Sequence, residues 1–303
     1  MNVLTVLFSA ATFAATLRMA VPLLFVALGG VLTKRAGIEN IGLEGLMLIG
    51  CFSGFAANYF TSSWIVGILA AMAVTVLFAL LFGLFVVQVR SHEIVAGTAM
   101  NVMGSALTTY LLRSMFGVKG SFADERVRTI PNVTLPVIKD IPVLGTVFSG
   151  QSVLFWVSLA ATVLIIFMLY RTKLGFYIRA AGENEKALAS AGVNVKKVRY
   201  FALIMHGMLI GLGGIYLSTA YLTQYVEDMT AGRGFIAMAA YAFGMARPER
   251  TFFAVLLFAF VQALSSRLQI FGVPSYFADM IPYAITILVL AVTSYREMKR
   301  ESV

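Results

Sequence analysis

The sequence predicts an all-α, polytopic membrane protein with about nine transmembrane helices, and two observations carry this prediction. Hydrophobic residues make up 60% of the 303 residues and charged residues only 12%, whereas a soluble domain carries about a quarter charged residues. Three long runs contain no charged residue: 45–89, 141–170 and 200–226. Because a span needs about 20 apolar residues, the first run must cross twice. Such long, evenly apolar runs favour helices over barrel strands.

Nine spans follow one another along the chain, and the seventh is short and rich in glycine. A segment of that kind suggests a broken or re-entrant element, which a membrane tolerates only inside protein or beside a water-filled cavity. The apolar stretch before Arg18 lacks the basic residues that open a signal peptide, so we interpret it as part of the mature protein. The predicted spans cover residues 13–33, 41–58, 64–88, 94–112, 152–170, 200–222, 230–246, 251–271 and 277–295.

The distribution of Lys and Arg predicts the orientation. Threading the nine spans places 15 of the 23 basic residues on the cytoplasmic side and 8 outside. The positive-inside rule then puts the N-terminus outside and the C-terminus in the cytoplasm. The chain, 1–303, forms one membrane domain with two long connections. Residues 113–151 form an outer loop too long for a simple turn, and residues 171–199 form the main cytoplasmic loop.

Several classes of protein are excluded by simple counts. The single cysteine, Cys51, and the two histidines, His92 and His206, exclude a disulfide framework and a Cys/His metal cluster, so no metal site is predicted. No G-x-x-x-x-G-K motif occurs, so this chain has no P-loop of its own and no cofactor is expected. In a membrane protein, the net charge of +9 indicates basic cytoplasmic loops rather than nucleic-acid binding.

The cytoplasmic loop contains a short predicted helix over residues 183–191. Asn184 is suited to cap its start, and Gly192 lies where a C-terminal glycine is expected. Small residues along this helix would leave a low-relief surface able to lie in a groove of another protein. Composition alone leaves a second interpretation open, in which this is an ordinary basic loop that enforces topology.

The pattern of the loop resembles the coupling-helix region of ABC importer permeases, in the branch that serves ribose-type sugars, branched-chain amino acids and nucleosides. The matching positions are Leu174-Gly175, Arg179-Ala180, Gly182-Glu183-Asn184, Ala187, Gly192-Val193 and Asn194-Val195. The resemblance implies a set of residues that couple the permease to an ATPase: Gly182, Glu183, Asn184, Glu185, Lys186, Ala187, Ala191 and Gly192.

Two further blocks resemble the nucleoside-type permeases within that branch. Residues 34–52 read KRAGIENIGLEGLMLIGCF, and their glycines permit a tight turn into the second helix and close backbone packing. Residues 232–250 read GRGFIAMAAYAFGMARPER, in which Ala246 and Arg247 replace the family's Trp-Asn pair. The resemblance spans roughly residues 18–300.

Four polar residues in or beside the spans are candidates for the substrate path: Asn40, Glu44, Asn101 and Gln262. Each also has a structural interpretation. Glu44 lies near the end of a span, where it could cap a helix or reach the interface. A buried amide such as Asn101 must find a partner, and a neighbouring helix can provide it. His206 in the sixth span is interpreted as a packed, hydrogen-bonding residue.

The resemblance implies a non-enzymatic permease subunit of an ATP-driven importer in the plasma (inner) membrane, moving nucleosides or a related nucleobase or sugar compound. ATP would bind to a separate ABC ATPase subunit. The other implied partners are a second permease (a sister chain or another copy), an extracytoplasmic substrate-binding protein and the lipid bilayer. The alternative is a gradient-driven secondary transporter, although carboxylates deep in the spans are scarce. A membrane enzyme is disfavoured because paired histidines, cysteines and mid-span acids are missing.

Overall fold

The computed structural model describes residues 9–134, 144–270 and 280. These residues are mostly helical, which confirms the predicted all-α class. Apart from Met280, the predicted ninth span at 277–295 lies outside the described residues, as does the start of the chain before residue 9.

The first half of the described chain contains four long helices. These are α1 (Ala10–Arg35), α2 (Leu43–Thr61), α3 (Trp64–Gly83, continued by a π-helical turn over Leu84–Gln88) and α4 (Glu93–Phe116). The second half contains α5 (Leu144–Phe148), α6 (Val153–Arg171), α7 (Lys173–Glu183), α8 (Glu185–Ser190), α9 (Val195–Ile215, continued by a π-helical turn over Tyr216–Tyr221), α10 (Arg233–Phe243) and α11 (Pro248–Ile270).

Two small antiparallel sheets tie the loops together at one end of the bundle. Strand β1 (Ser121–Phe122) pairs with β4 (Tyr225–Val226), and β2 (Asn132–Val133) pairs with β3 (Gln151–Ser152). Residues 113–151, predicted as a long outer loop, therefore include the end of α4, the strands β1 and β2, and the short helix α5.

Polar side chains mark where several helices begin. The Ser152 hydroxyl accepts a hydrogen bond from the backbone N–H of Leu154 at the start of α6, and Asn194 Oδ1 accepts one from Lys197 at the start of α9. Such caps satisfy backbone donors that have no partner within the helix. Pro248 occupies the first position of α11, where its missing N–H costs nothing.

Six helices in the described ranges are long and apolar enough to cross a membrane: Ala10–Arg35, Leu43–Thr61, Trp64–Gln88, Val153–Arg171, Val195–Tyr221 and Pro248–Gln269. They coincide with six of the nine predicted spans, so the predicted number is not confirmed. Helix α4 covers the predicted span 94–112 but carries many Gly, Ser, Thr and Asn residues and is not among the six. Helix α10 has only 11 residues, about 16 Å, and is too short to cross alone.

The most apolar helix is also among the least buried. Helix α3 has a mean hydropathy of 2.8 over its best window, yet only 28% of that window is buried. Leu69 and Leu77 on this helix are 60% and 64% exposed. A soluble protein would bury such a helix, whereas a membrane protein can leave it facing lipid. The exposed apolar side chains of α3 therefore support a multi-pass membrane protein.

The centre of the bundle is α1. Its side chains from Phe25 to Leu28 are fully buried, and it packs against α9, α10 and α11. Glycines permit the close approach of neighbouring helices: a Cβ on Gly214 of α9 would lie 2.7 Å from the Met47 carbonyl oxygen of α2. Small residues at contacts between helices are typical of packing in membranes.

The chain between α9 and α11 crosses the bundle in two unlike halves. After α9 it forms β4 and a series of turns up to Gly232, and only then becomes the short helix α10. This arrangement agrees with the interpretation of residues 230–246 as a broken element. Its irregular half is enclosed by protein where Met229 and Thr230 are buried, as non-helical backbone at membrane depth requires.

Candidate coupling and translocation site

The helix predicted in the cytoplasmic loop is present as α8, a short helix of 6 residues. Asn184 caps it, because its Oδ1 accepts a hydrogen bond from the Ala187 N–H at 3.0 Å. Gly192 follows with a φ of +80°, the left-handed conformation that favours glycine. Both the predicted cap and the predicted terminal glycine are thus confirmed. The helix starts two residues later than predicted, because Glu183 is the last residue of α7.

One side chain anchors α8, and the rest of the helix is exposed. Leu188 is 5% exposed and packs with Ala181 of α7 and Val195 of α9 in a small core of their own. The other five residues of the helix are exposed. This arrangement presents a small, low-relief surface on a support that packs against α7 and α9. The eight residues that the resemblance implies for coupling all lie on this exposed segment. They are Gly182, Glu183, Asn184, Glu185, Lys186, Ala187, Ala191 and Gly192.

Arg199 ties this segment to the body of the bundle. Its Nη2 lies 2.8 Å from Glu185 Oε2, and its Nε donates to the Ala36 carbonyl at 3.3 Å. Gly182 packs on the same stretch: a Cβ there would lie 2.9 Å from the Gly37 nitrogen. The base of α8 is therefore in direct contact with the α1–α2 connection.

A cavity of about 410 Å³ opens at this end of the bundle, between α1, α7 and α10. Its lining includes Lys34, Arg35, Glu39, Arg179, Glu183 and Tyr241. Arg179 lies over the Tyr170 ring, with its guanidinium carbon 5.6 Å from the ring centroid. Its buried Nε has no hydrogen-bond partner among the described residues. The lining therefore combines three basic side chains with two acidic ones, which leaves an excess of positive charge.

The polar candidates for the substrate path gather around the start of α2. Asn40 is 1% exposed. Its Nδ2 lies 2.9 Å from His206 Nε2 and its Oδ1 accepts a hydrogen bond from the Gly42 N–H at 2.8 Å. The interpretation of His206 as a packed, hydrogen-bonding residue is confirmed. The pair joins the α1–α2 connection to α9.

Asn101 on α4 uses both ends of its amide to hold the start of α2. Its Oδ1 accepts from the Gly45 N–H at 2.8 Å, and its Nδ2 donates to the Ile41 carbonyl at 3.0 Å. Hydrogen bonding to a neighbouring element is what the buried amide was expected to require. Asn101 lies eight residues beyond Glu93, the first residue of α4, which is about 12 Å along the helix. Helix α2 therefore begins well inside the bundle.

Glu44 is surrounded by three hydrogen-bond donors of the broken crossing. Its Oε1 accepts from the Thr230 hydroxyl and from the Gly232 N–H, both at 2.6 Å, and its Oε2 accepts from the Gly234 N–H at 2.6 Å. The expected capping role is therefore present, but the capped helix is α10 rather than Glu44's own. Arg233, assigned to the outer side by threading, lies at this same junction, and its Nη1 donates to the Thr230 carbonyl at 3.1 Å.

Gln262 lies apart from the other three candidates, on α11. It is partly buried, and its Oε1 has no hydrogen-bond partner in the described part of the chain. The structure thus brings together Asn40, Glu44 and Asn101 and leaves Gln262 separate. A direct contact of any of the four with substrate remains a prediction.

Sequence reasoning missed the donors that face Glu44 and the partner of Arg35. Arg35 Nε donates to the Ala246 carbonyl at 2.7 Å, across 211 residues of chain. The sequence blocks 34–52 and 232–250 are therefore in contact in space, although nothing in either block indicates it. No group of three or more His, Cys, Asp or Glu side chains suited to a metal ion occurs within residues 9–134 and 144–270.

Comparison with known proteins gives concordant matches. Residues 12–290 match the family described as branched-chain amino acid transport system / permease component. The guanosine ABC transporter permease protein NupQ of Bacillus subtilis is 37% identical over 291 residues, covering 91% of this chain and 89% of that protein. The nucleoside ABC transporter permease protein NupC of Lactococcus lactis is 34% identical over 282 residues, covering 89% of this chain and 88% of its own length.

A solved structure shares the fold. It is a metal-chelate type ABC transporter in an inward-facing conformation, with a TM-score of 0.54 and 14% sequence identity. The alignment covers 92% of this chain and 85% of that chain. At this identity the likeness concerns the fold alone.

Proposed function

The chain belongs to the family of permease components of branched-chain amino acid transport systems, and from this premise we propose that it is the membrane permease of an ATP-driven importer of nucleosides. The substrate class follows the relatives, one of which carries guanosine in its name and another nucleosides. The observation that carries the proposal is α8, a capped, exposed helix fixed on its own small core and joined through Arg199 to the transmembrane body.

In the proposed cycle, α8 sits in a groove of a separate ABC ATPase subunit. Closure of the ATPase on nucleotide displaces α8, and α7 and α9 carry that displacement into the bundle because Leu188 packs against both. The path then opens alternately to the two sides of the membrane. The driving free energy is the difference in nucleotide affinity between the two states of the complex. This chain binds no ATP and catalyses no reaction in this scheme.

The cavity beside α8 supports the docking proposal. An acidic side chain of the ATPase would meet the excess of basic side chains in this lining, close to the coupling residues. A charged donor paired with a carboxylate forms one of the stronger hydrogen bonds in proteins.

The end that carries α8 is assigned to the cytoplasm in this proposal. It holds Arg35, Arg199 and the basic residues around 247–250, as the positive-inside rule requires. The N-terminus then lies outside and the C-terminus in the cytoplasm of the plasma (inner) membrane. Nine crossings result if α4, the broken crossing through α10 and residues 277–295 each count as one.

The opposite end would receive substrate from an extracytoplasmic binding protein. The two small sheets lie there. A second permease, either a sister chain or another copy, would complete the path. Within it, Asn40, Glu44 and Asn101 would shape the wall, because their polar atoms are already used inside the chain. Gln262 has an acceptor left to offer a substrate hydroxyl or amine.

The test uses a C-terminally tagged chain purified in mild detergent with its co-purifying subunits, then reconstituted into proteoliposomes with its binding protein. We expect a stoichiometric ATPase subunit and uptake of radiolabelled guanosine that requires ATP and persists after ionophores collapse the ion gradients. Uptake that vanishes with the gradients, in a chain that purifies without an ATPase, would instead identify a secondary transporter. ATP-driven uptake of another solute but not of nucleosides would refute only the substrate.

A further inference from the structure

Two side chains of one connection hold the two ends of α10. Glu44 accepts hydrogen bonds from the backbone N–H groups of Gly232 and Gly234 at the helix start, both at 2.6 Å. At the other end, Arg35 donates to the carbonyls of Ala246 at 2.7 Å and of Met245 at 3.4 Å. We refer to Arg35 and Glu44 as the clamp residues.

The charges of the clamp residues match the dipole of the helix that they hold. A helix carries partial positive charge at its N-terminus and partial negative charge at its C-terminus. Helix α10 has no acidic residue in its first turn, no basic residue in its last turn and no side-chain cap at Gly232. The residues that flank the α1–α2 connection supply both missing charges, with a carboxylate at the start and a guanidinium just beyond the end. The first N–H groups of the helix therefore depend on Glu44, whereas Arg35 fixes the two residues that follow the helix.

The backbone on both sides of α10 is strained. Asp228 and Ala231 before the helix have φ values of 51° and 45°, and Met245 and Ala246 after it have 52° and 49°. Residues other than glycine seldom adopt this left-handed conformation, and such strain persists only where the surroundings impose it. A short rigid helix between two strained segments is suited to move as one body, because its flanks can relax by large changes in φ and ψ.

The clamp is joined to the coupling segment through its neighbours in sequence. Arg199 connects Glu185 of α8 to the Ala36 carbonyl, which immediately follows Arg35. Gly182 lies against the Gly37 nitrogen with no room for a Cβ. A displacement of α8 therefore acts directly on residues 35–37, beside one of the two clamp residues.

We propose that α10 is the moving element of this permease and that Arg35 and Glu44 are positioning residues which make it follow the coupling segment. The proposal rests on the proposed function and adds the internal route by which the motion of α8 reaches the middle of the bundle. Arg35, at the end of α1, binds the residues that follow α10. Glu44, well inside the bundle, binds the start of α10, so the helix is held at two different depths.

The first test separates coupling from assembly in the reconstituted complex. Glu44→Gln removes the negative charge. It also replaces one carboxylate oxygen by an amide NH₂ group, which cannot accept a hydrogen bond from the N–H groups of Gly232 and Gly234. Arg35→Gln shortens the donor and removes the opposite charge. For each variant we expect the ATPase subunit to co-purify as in the wild type and to hydrolyse ATP, while nucleoside uptake per ATP falls about tenfold, within the usual range for coupling between sites.

Matched controls remove a charge of each sign at exposed positions outside the cavity and away from α10. Glu125 and Lys173 are exposed, so Glu125→Gln and Lys173→Gln are expected to keep the wild-type ratio of uptake to hydrolysis. Thr230→Val removes one of the three donors to Glu44 and is expected to give an intermediate ratio. Wild-type ratios in both clamp variants would overturn the proposal.

The second test does not depend on knowing the substrate. Spin labels at Phe235→Cys on α10 and Leu77→Cys on α3 occupy exposed positions, and the native Cys51 is buried away from the reagent. We expect vanadate trapping of nucleotide to shift the distance between the labels in the wild type and in Glu125→Gln but not in Glu44→Gln. An unshifted wild-type distance, or an equal shift in Glu44→Gln, would refute the clamp. A shift without nucleoside uptake would refute only the proposed substrate.

Discussion

Asn40 and His206 form a side-chain pair that is fully enclosed, with Nδ2 of the amide 2.9 Å from Nε2 of the ring. His206 is 0% exposed and Asn40 is 1% exposed. The pair fastens the α1–α2 connection to α9, while the other end of the Asn40 amide accepts the Gly42 N–H. The connection that holds α10 at both ends is thus itself held by a buried polar contact.

Loss of the His206 ring should destabilise the protein. In His206→Ala the Asn40 amide keeps its buried N–H₂ group without its partner, a loss that costs about 1–3 kcal/mol. Thermal unfolding of the purified protein in detergent, followed by tryptophan fluorescence, would show a lower midpoint. His92→Ala is the control, since His92 is exposed and accepts only a long 3.4 Å contact from Ile94. Equal midpoints for the two variants would contradict this prediction.

Reversal of the Glu185 charge should stop transport. A second substitution at Arg199 distinguishes attachment of α8 from contact with the ATPase as the cause. Glu185→Arg places two cations against each other at Arg199, and we expect uptake to fall about tenfold or more. The double variant Glu185→Arg/Arg199→Glu restores the ion pair with opposite polarity.

Recovery of uptake in that double variant would assign Glu185 to the attachment of α8, whereas continued loss, together with normal uptake in Arg199→Glu alone, would assign it to contact with the ATPase. The coupling energy of the cycle measures the difference. Normal uptake in the single variant would contradict a coupling role of either kind. Co-purification of the ATPase subunit monitors assembly in each variant.

A side chain at Gly45 should prevent α2 from packing on α4. A Cβ there would lie 2.6 Å from the Asn101 Cα, and backbone cannot move aside as a flexible side chain can. We expect Gly45→Val to reduce the yield of folded protein and the hydrogen bond to Asn101 to be lost. Ala99→Val on the exposed face of α4 adds similar bulk and is the control. Folded yield after size-exclusion chromatography distinguishes them, and equal yields would show that the contact tolerates a side chain.

An aromatic cluster should stabilise the end of the bundle opposite to α8. The Phe116 ring lies 4.5 Å from that of Phe122 and 5.2 Å from that of Tyr59, centroid to centroid. We expect Phe116→Ala, which truncates a partly buried ring, to cost about 1–3 kcal/mol of stability, measured by thermal unfolding. Uptake per folded complex should be unchanged, because the cluster lies far from α8 and the clamp. A fall in uptake with unchanged stability would place Phe116 in the path instead.

The sequence was sufficient to predict the helices and the coupling segment because those features depend on local patterns. Apolar runs with few or no charged residues locate six of the spans, and Asn184 with Gly192 predicts the limits of α8 to within two residues. Even the unusual seventh span was detectable, since its glycines and short length signal a break. Capping and hydropathy are properties of neighbouring residues, which a sequence displays directly.

The contacts of the site could not be predicted in the same way because their partners lie far apart in sequence. Glu44 and Gly234 are separated by 190 residues, and Arg35 and Ala246 by 211. Nothing in either block indicates that its hydrogen-bonding groups match the other. Helix α4 has 24 residues but is not among the six helices apolar enough to cross a membrane. This difference has a local cause, because the polar and small residues of α4 lower its hydropathy.

The burial of α1 has a consequence for biogenesis. Helix α1 is the first of the described helices to leave the ribosome, yet it packs against α9, α10 and α11, which are made some 160 residues or more later. Until then α5, α6 and α7 can cover only part of its apolar surface, and lipid or the insertion machinery contacts the rest. In the folded protein Leu23 and Phe25 are fully buried. Helix α1 therefore becomes buried only when the later helices pack around it, and it does not insert into a bundle that has already formed. The oldest helix of the nascent chain is therefore enclosed last, and truncated chains that end before α9 would leave it in the bilayer without its main partners.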